Sequence, residues 1–193
     1  MTFATLRQRL KLPEGCEQYW HRHVNTLVNG TTKDGGWVEN TATVAPTVFV
    51  GENAIVGRNA RLEGKVRIED YAIVAGNALI TDSVRIAGKA VVNGDVKISG
   101  HAKITQNAVV DDRARIDGHA TILGHSQISG DVRISGRVVV AGHAIVRGSA
   151  QLDELVVISG MAIIEGNAIL NGRLRVDGGT WDSGVHTGKV VKH

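Results

Sequence analysis

The chain has 193 residues, with 24 glycines, 2 prolines and only 4% aromatic residues, and its formal net charge is +3 at pH 7. With 42% hydrophobic and 21% charged residues the composition is globular, and the mild charge gives no specific nucleic-acid signal. The single Cys16 excludes an intrachain disulfide framework and a cysteine-rich metal site, and neither a membrane-spanning run nor a signal-peptide pattern is present, which predicts a cytoplasmic protein without membrane contact.

Residues 1–35 precede the repeats and are predicted to form a helical N-terminal cap. Within residues 3–12 the apolar side chains Phe3, Leu6 and Leu10 have helical spacing, Thr2 is the candidate N-cap and Pro13 follows the end. Residues 14–28 predict a second helix, and its apolar stripe consists of Cys16, Tyr19, Trp20, His23, Val24 and Leu27. The alternative is that this segment docks a partner or a sister subunit.

A strict repeat of six residues runs through residues 42–179, which form 23 hexads without a break in frame. The first position is Ala, Val or Leu in 22 of the 23 hexads, with Ser126 as the exception, and the third is Val, Ile or Leu in all. Positions one and three share one side of a short strand, and the fifth position, Gly in 15 hexads, suits a tight corner. Three hexads make an 18-residue coil. The predicted fold is an all-β, triangular parallel β-helix of seven to eight coils, with successive coils about 4.8 Å apart.

The repeating unit Ala-x-(Ile/Val)-x-Gly-(Asn/His), as in residues 72–77 and in the close variant at 144–149, resembles the hexapeptide repeat of left-handed parallel β-helix proteins. This is the acyltransferase-like superfamily, and the entry segment 35–46 is similar to that of uncharacterised members with a transferase label. The resemblance covers about residues 36–179 and implies a left-handed coil and a homotrimer. Bactofilins, which are right-handed, filamentous and less strictly repeated, are the competing solution. Residues 180–193 are predicted to leave the repeat as a C-terminal tail, in which Trp181 plugs the open end; the alternative is a loose tail.

The second position of each hexad points outward, and every third hexad shares a face. Face one carries Thr43, Arg61, Leu79, Lys97, Arg115, Arg133, Gln151 and Ile169. Face two carries Phe49, Arg67, Arg85, Lys103, Thr121, Val139, Val157 and Arg175. Face three carries Gln127 and the aliphatic residues Ile55, Ile73, Val91, Val109, Ile145 and Ile163. This aliphatic stripe predicts an interface between copies of the chain; the alternative is that the N-terminal helices cover it.

Faces one and two are basic in their middle. We expect weak surface ion pairs at Arg61/Glu63, Arg67/Glu69, Arg115/Asp117 and Arg175/Asp177, and no such partner for Arg85, Lys97, Lys103 and Arg133. Around the edge between the two faces the candidate ligand-binding residues are Lys97, His101, Lys103, Arg115, His119, Arg133 and Arg137. Stacked like charges are unfavourable unless an anionic group compensates them, which predicts a phosphate or nucleotide site. The alternative is a solvated basic surface.

His125 and His143 stack at the corner beside face three. In the family that the chain resembles, a histidine between subunits is the catalytic base and acyl-CoA is the co-substrate, with Asp95, Arg113 and Asp131 as groups that a neighbour would contribute here. The alternative is that His is simply tolerated at corners, as Asn is. No insertion interrupts the coils, so no lid encloses a substrate.

Three functions are therefore open from the sequence. The first expectation is a non-catalytic homo-oligomer that binds an anionic ligand, without a required cofactor or metal. An acyl-CoA-dependent acyltransferase and a self-assembling scaffold are the alternatives.

Overall fold

The computed structural model describes residues 1–188 and the backbone of Val191–Lys192. The first helix, α1, spans Phe3–Leu10, as the spacing predicts. Thr2 is its N-cap, because its Oγ1 accepts a hydrogen bond from the Thr5 N–H at 3.3 Å. Lys11 ends the helix in the left-handed conformation, at φ +53°.

The predicted second helix at residues 14–28 is wrong. A single 3₁₀ turn, Glu17–Tyr19, is followed by strand β1, Trp20–Thr26, which pairs antiparallel with strand β2, Thr32–Glu39. In β1 the buried side chains are His23 and Asn25, whereas Val24 is exposed. The strand therefore lacks the apolar alternation by which a strand is recognised in a sequence.

Beyond β2 the chain is a parallel β-solenoid of about eight turns, built from three sheets. On face three, β2 is followed by the strands Ile55–Val56, Ile73–Val74, Val91–Val92, Val109–Val110, Gln127–Ile128, Ile145–Val146, Ile163–Ile164 and Thr180–Trp181. On face one lie Thr43–Val44, Arg61–Leu62, Leu79–Ile80, Lys97–Ile98, Arg115–Ile116, Arg133–Ile134, Gln151–Leu152, Ile169–Asn171 and Val185–Thr187. On face two lie Phe49–Val50, Arg67–Ile68, Arg85–Ile86, Lys103–Ile104, Thr121–Ile122, Val139–Val140, Val157–Ile158, Arg175–Val176 and Val191–Lys192.

The strand register confirms the sorting into faces. Lys97 lies opposite Arg115, and Arg85 lies opposite Lys103, each one coil apart. The core is a column of Ala, Val, Ile and Leu at hexad positions one and three, nearly all of them fully buried. Ser126, the exception at position one, is also buried, and its hydroxyl donates to the Leu123 carbonyl oxygen at 2.9 Å.

The corners explain the glycines at position five. From Arg58 to Gly172 every residue at this position has a positive φ, which favours glycine. A Cβ on Gly76 would also lie 2.4 Å from the Gly94 backbone nitrogen in the next coil. At Asp82 a side chain is accommodated at φ +62°, and its Oδ2 accepts a hydrogen bond from the Gly100 N–H at 2.8 Å.

Two side chains of β1 close the N-terminal end of the solenoid. The Asn25 amide donates to the Val50 carbonyl oxygen and accepts from the Val50 N–H, both at 2.8 Å. The His23 Nε2–H donates to the Val48 carbonyl oxygen at 2.9 Å. These contacts replace the neighbouring strand that face two lacks at this end, and so blunt its open edge.

The C-terminal segment continues the solenoid further than the repeat predicts. Ile164 pairs with Trp181 and Ile169 with Val185, offsets of 17 and 16 residues in place of 18. Trp181 belongs to the core cluster and its ring packs edge-on against His186, with the ring centroids 4.6 Å apart. The shortened offsets hide these strands from a strict period of six. Residues 189, 190 and 193 of the predicted tail lie outside the described residues. Among the described residues, no helix is long and apolar enough to span a membrane.

Candidate anion-binding site

Three cations lie in register on consecutive strands of face one. Lys97 pairs with Arg115, and Arg115 pairs with Arg133. Each side chain is exposed, and adjacent strands are separated by about 4.8 Å. We call these three residues the basic column. The word rung denotes the level of the solenoid at which one coil contributes a residue to such a column.

A second stack lies at the neighbouring corner, on the same three rungs. The rings of His101 and His119 are stacked, with their centroids 4.9 Å apart and an interplanar angle of 14°. Arg137 follows them 18 residues further along the chain. We call His101, His119 and Arg137 the corner column. The seventh predicted ligand-binding residue, Lys103, lies on face two between Arg85 and Thr121.

Face two shows how this chain relieves a stack of like charges. Arg67 lies opposite Arg85, and Glu69 between them binds both guanidinium groups. The Arg67 Nε–Glu69 Oε1 distance is 2.7 Å and the Arg85 Nε–Glu69 Oε2 distance is 2.5 Å. Burial opposes ionisation of Glu69, but the hydrogen bonds and charges of the two arginines outweigh it, so the pKa of Glu69 is lowered. Arg67 also stacks on the Phe49 ring.

The basic column has the same strand-to-strand spacing as Arg67 and Arg85, but no carboxylate in the described part of the chain bridges its cations. Asp117 follows Arg115 as Glu69 follows Arg67, but within residues 1–188 it forms no salt bridge. Asp is one methylene shorter than Glu, and Asp117 Oδ1 accepts hydrogen bonds from the Ser99 hydroxyl at 3.0 Å and the Gly118 N–H at 2.6 Å. Among the described residues, therefore, no cation of the basic column forms a salt bridge.

Two of the four predicted ion pairs, Arg61/Glu63 and Arg67/Glu69, are confirmed. The pair Arg115/Asp117 is wrong for the reason just given. Arg175/Asp177 is also wrong, because Asp177 Oδ1 accepts the Ser159 hydroxyl at 2.7 Å instead. The expectation that Arg85 lacks a partner is likewise wrong, since sequence distance hid the contact of Arg85 with Glu69 of the preceding coil.

The basic column borders a shallow groove. Its volume is about 360 Å³, and it is lined by Lys97, Ser99, Arg115, Asp117, Arg133 and Ser135, with Ile116 and Ile134 below. A neighbouring groove of about 360 Å³ is lined by Arg113, Arg115, Asp131, Arg133, Ser149 and Gln151. Arg113 and Asp131 form a 2.7 Å ion pair within the chain, so the cations available in these grooves are those of the basic column.

His125 and His143 also stack, with centroids 4.9 Å apart and an interplanar angle of 4°. Both are exposed at the corner between faces two and three. The Asn107 Nδ2 lies 3.4 Å from His125 Nε2. Among the described residues, no hydrogen bond or salt bridge joins either ring to a carboxylate. No group of three or more His, Cys, Asp or Glu side chains in this part of the chain is arranged to hold a metal ion.

The N-terminal segment packs on the first rungs of face three. Phe3 contacts the Trp37 ring edge-on at a centroid distance of 5.2 Å, and the Arg9 Nη1 donates to the Asn53 carbonyl oxygen at 2.9 Å. Ile55 is consequently buried, at 1% exposure. The half-buried part of the aliphatic stripe begins at Ile73 and continues through Val91, Val109, Ile145 and Ile163.

A hollow of about 340 Å³ separates the N-terminal segment from this stripe. Leu10, Leu12 and Trp20 line one side, and Ile55, Ile73 and Val91 line the other. The alternative that the N-terminal segment covers face three is therefore confirmed for the first rungs of that face, although only one of the two predicted helices forms.

A scan against protein-family models finds no family that matches this chain, and a search of curated proteins finds no similar protein. The parallel β-solenoid of about eight turns is compatible with a β-helix superfamily. The fold alone does not define a function, so the chain's own residues must indicate it.

Proposed function

We propose that this protein is a non-catalytic binding protein for phosphate-bearing anions, with the basic column Lys97–Arg115–Arg133 as its site. The observation that carries the proposal is the contrast between the two faces. On face two Arg67, Arg85 and Lys103 stack, and Glu69 bridges the two arginines. On face one Lys97, Arg115 and Arg133 stack, and no carboxylate among the described residues bridges any two of them. Like charges directly opposite one another are destabilising, and a bound anion removes that cost.

The chemistry of the column favours phosphate. Arginine presents a planar set of N–H donors that matches phosphate oxygens, and lysine adds a point charge. The corner column lies on the same rungs, so Arg137 and the imidazole N–H groups of His101 and His119 supply further donors. Four permanent cations thus line the site, and the carboxylates beside them are already engaged: Asp117 accepts from Ser99 and Gly118, and Asp131 pairs with Arg113.

The test is calorimetric titration of the protein with tripolyphosphate at low and at physiological salt. We expect binding that weakens as salt rises. Arg115→Gln should weaken it about tenfold, because a charge-assisted hydrogen-bond set at the centre of the column is lost. The matched control is Arg175→Gln, which removes one exposed cation from the opposite end of face two and should leave binding unchanged. An absence of binding to the wild-type protein, or an equal loss in both variants, rejects the proposal.

We propose in addition that the protein forms a homo-oligomer. The half-buried stripe from Ile73 to Ile163 supports association of copies through face three below the N-terminal segment. The resemblance to hexapeptide-repeat proteins favours a left-handed coil and a homotrimer, and the cytoplasmic location stays a prediction from the sequence. Native mass spectrometry tests the subunit number. A discrete trimer supports the proposal, a monomer rejects it, and concentration-dependent filaments would favour a scaffold instead.

Acyl transfer is the second candidate, and its support is the exposed, stacked pair His125–His143 beside face three. A general base is usually oriented by a hydrogen-bonded partner, and the side chain nearest to His125 is the Asn107 amide. Acetyl-CoA hydrolysis or transfer by the wild-type protein that His125→Ala and His143→Ala abolish would select this candidate.

A further inference from the structure

The geometry of the basic column points to the shape of its ligand. We propose that the column binds a linear chain of phosphates that lies along the solenoid axis and contacts three successive rungs. This inference rests on the proposed function, and it adds a ligand class and an orientation.

The three cations of the basic column are in register. Lys97, Arg115 and Arg133 occupy the same hexad position on three adjacent parallel strands, so they form a line across the strands, in the direction in which the coils stack. Two steps of strand spacing make this line about 10 Å long. A single orthophosphate is too small to reach all three cations, whereas a chain of phosphates presents negative oxygens along the whole line.

The basic column and the corner column end at the same levels of the solenoid. In the register of face one, Leu79 precedes Lys97, and Gln151 follows Arg133. In the corner column, Ser83 precedes His101 and the exposed Leu155 follows Arg137. Both columns therefore stop being basic at the same two rungs. A surface that served only for solubility would not need its charges to begin and end together.

The groove beside the basic column crosses successive coils. Its lining residues, Ser99, Asp117 and Ser135, repeat every 18 residues beside the basic column, so the groove runs along the axis and not around a coil. Ser99 donates to Asp117 at 3.0 Å and Ser135 to Asp153 at 2.9 Å. These hydrogen bonds fix the groove wall, which leaves the cations as the groups that meet the ligand.

A series of phosphate chains of increasing length tests the inference. The probes are orthophosphate, pyrophosphate, tripolyphosphate and a longer linear polyphosphate, titrated at constant ionic strength. We expect Kd to fall by about tenfold for each additional rung that the chain reaches, and then to level off once it spans about 10 Å. Binding with the same Kd for orthophosphate and for the longer chains would overturn the axial orientation and leave anion binding intact. No binding of any probe would overturn the proposed function itself.

A gain-of-function variant makes the test independent of damage to the fold. Gln151→Lys adds a fourth cation in register with Arg133 on an exposed position. It should lower the Kd of the longer polyphosphate by several-fold and leave that of pyrophosphate unchanged. The matched control is Thr43→Lys, which adds the same charge at an exposed position of face one outside the basic column. An equal gain for pyrophosphate and the longer chain would overturn the proposal.

One further comparison distinguishes a nucleotide from inorganic polyphosphate as the source of the phosphate chain. ATP and inorganic tripolyphosphate carry chains of the same length. Equal Kd values assign the site to the chain alone and hence to inorganic polyphosphate. Tighter binding of ATP assigns it to nucleotides, with the added contact at the base or the ribose. Either result keeps the axial chain, whereas binding of ATP that does not compete with tripolyphosphate contradicts it.

Discussion

Arg115 lies directly opposite Arg133 on neighbouring strands of face one, and within the described residues neither forms a salt bridge. The arrangement repeats that of Arg67 and Arg85, which Glu69 joins. Asp117 stands where Glu69 stands but is one methylene shorter. The chain therefore contains the same charge stack in a closed and an open form.

Asp117→Glu should supply the missing carboxylate bridge in the basic column. The longer side chain can bridge Arg115 and Arg133 as Glu69 bridges its own pair, and the net charge is unchanged. We expect tripolyphosphate affinity to fall by roughly fivefold to tenfold, because the anion then competes with an internal carboxylate. Titration calorimetry measures the effect, and Asp153→Glu, two rungs further on, serves as the matched control. Unchanged affinity in Asp117→Glu would contradict the role of the missing bridge.

Arg115→Gln should change stability and binding in opposite directions. Removing the middle charge relieves repulsion from Lys97 and Arg133, so the ligand-free protein should gain up to about 0.5 kcal/mol of unfolding free energy at low salt. The gain should shrink as salt screens the column. Urea denaturation at two salt concentrations measures it. A loss of stability at low salt would show that Arg115 is a structural residue rather than a ligand-binding one.

Glu69→Gln should destabilise the protein by about 1 kcal/mol at neutral pH, since Arg67 and Arg85 then face each other without a shared counter-charge. The folded-state pKa of Glu69 is lowered. Its contribution is therefore present above the pKa of the unfolded chain and is lost as pH falls through the folded-state pKa. Thermal unfolding from neutral to acidic pH should show the difference between the two proteins disappearing in acid. A constant difference would exclude the charge as its cause.

Asn25→Leu should cost about 2–4 kcal/mol, because it leaves the N–H and carbonyl of Val50 without partners at a buried end of the sheet. The change conserves side-chain size, so lost hydrogen bonds dominate the effect. Val24→Leu, at the exposed neighbouring position, is the control and should be nearly neutral. Urea denaturation measures both, and a similar cost for the two variants would refute the capping role.

His23 adds a pH dependence to the same cap. Burial lowers its pKa, and this outweighs the opposing effect of its hydrogen bond to Val48. Because the folded-state pKa lies below that of the unfolded chain, stability is full above the unfolded pKa and declines as pH falls below it. His23→Gln should remove this decline. A denaturation series across mildly acidic pH, with His143→Gln at an exposed corner away from the cap as control, would detect it. The same acid sensitivity in His23→Gln would show that another group is responsible.

Much of this fold is encoded in the six-residue period of the sequence. Positions one and three of each hexad predicted the core, and every third hexad predicted the face on which Lys97, Arg115 and Arg133 meet. The N-terminal hairpin was not predictable in the same way, because β1 buries His23 and Asn25 to satisfy backbone groups of another coil. Contacts between coils also hid the Arg85–Glu69 pair, which lies 16 residues apart. Local spacing predicts where a side chain points, and tertiary contact decides what it binds.

The constant 18-residue register determines how a surface such as the basic column changes in evolution. Deleting or duplicating one coil between residues 42 and 172 leaves every remaining residue on its own face, since the pairing offset is constant there. The length of the basic column is then a whole number of coils, altered in one genetic event and without repacking the core. A binding surface of this kind therefore changes in length by whole coils, and each added coil copies the side chains of an existing one.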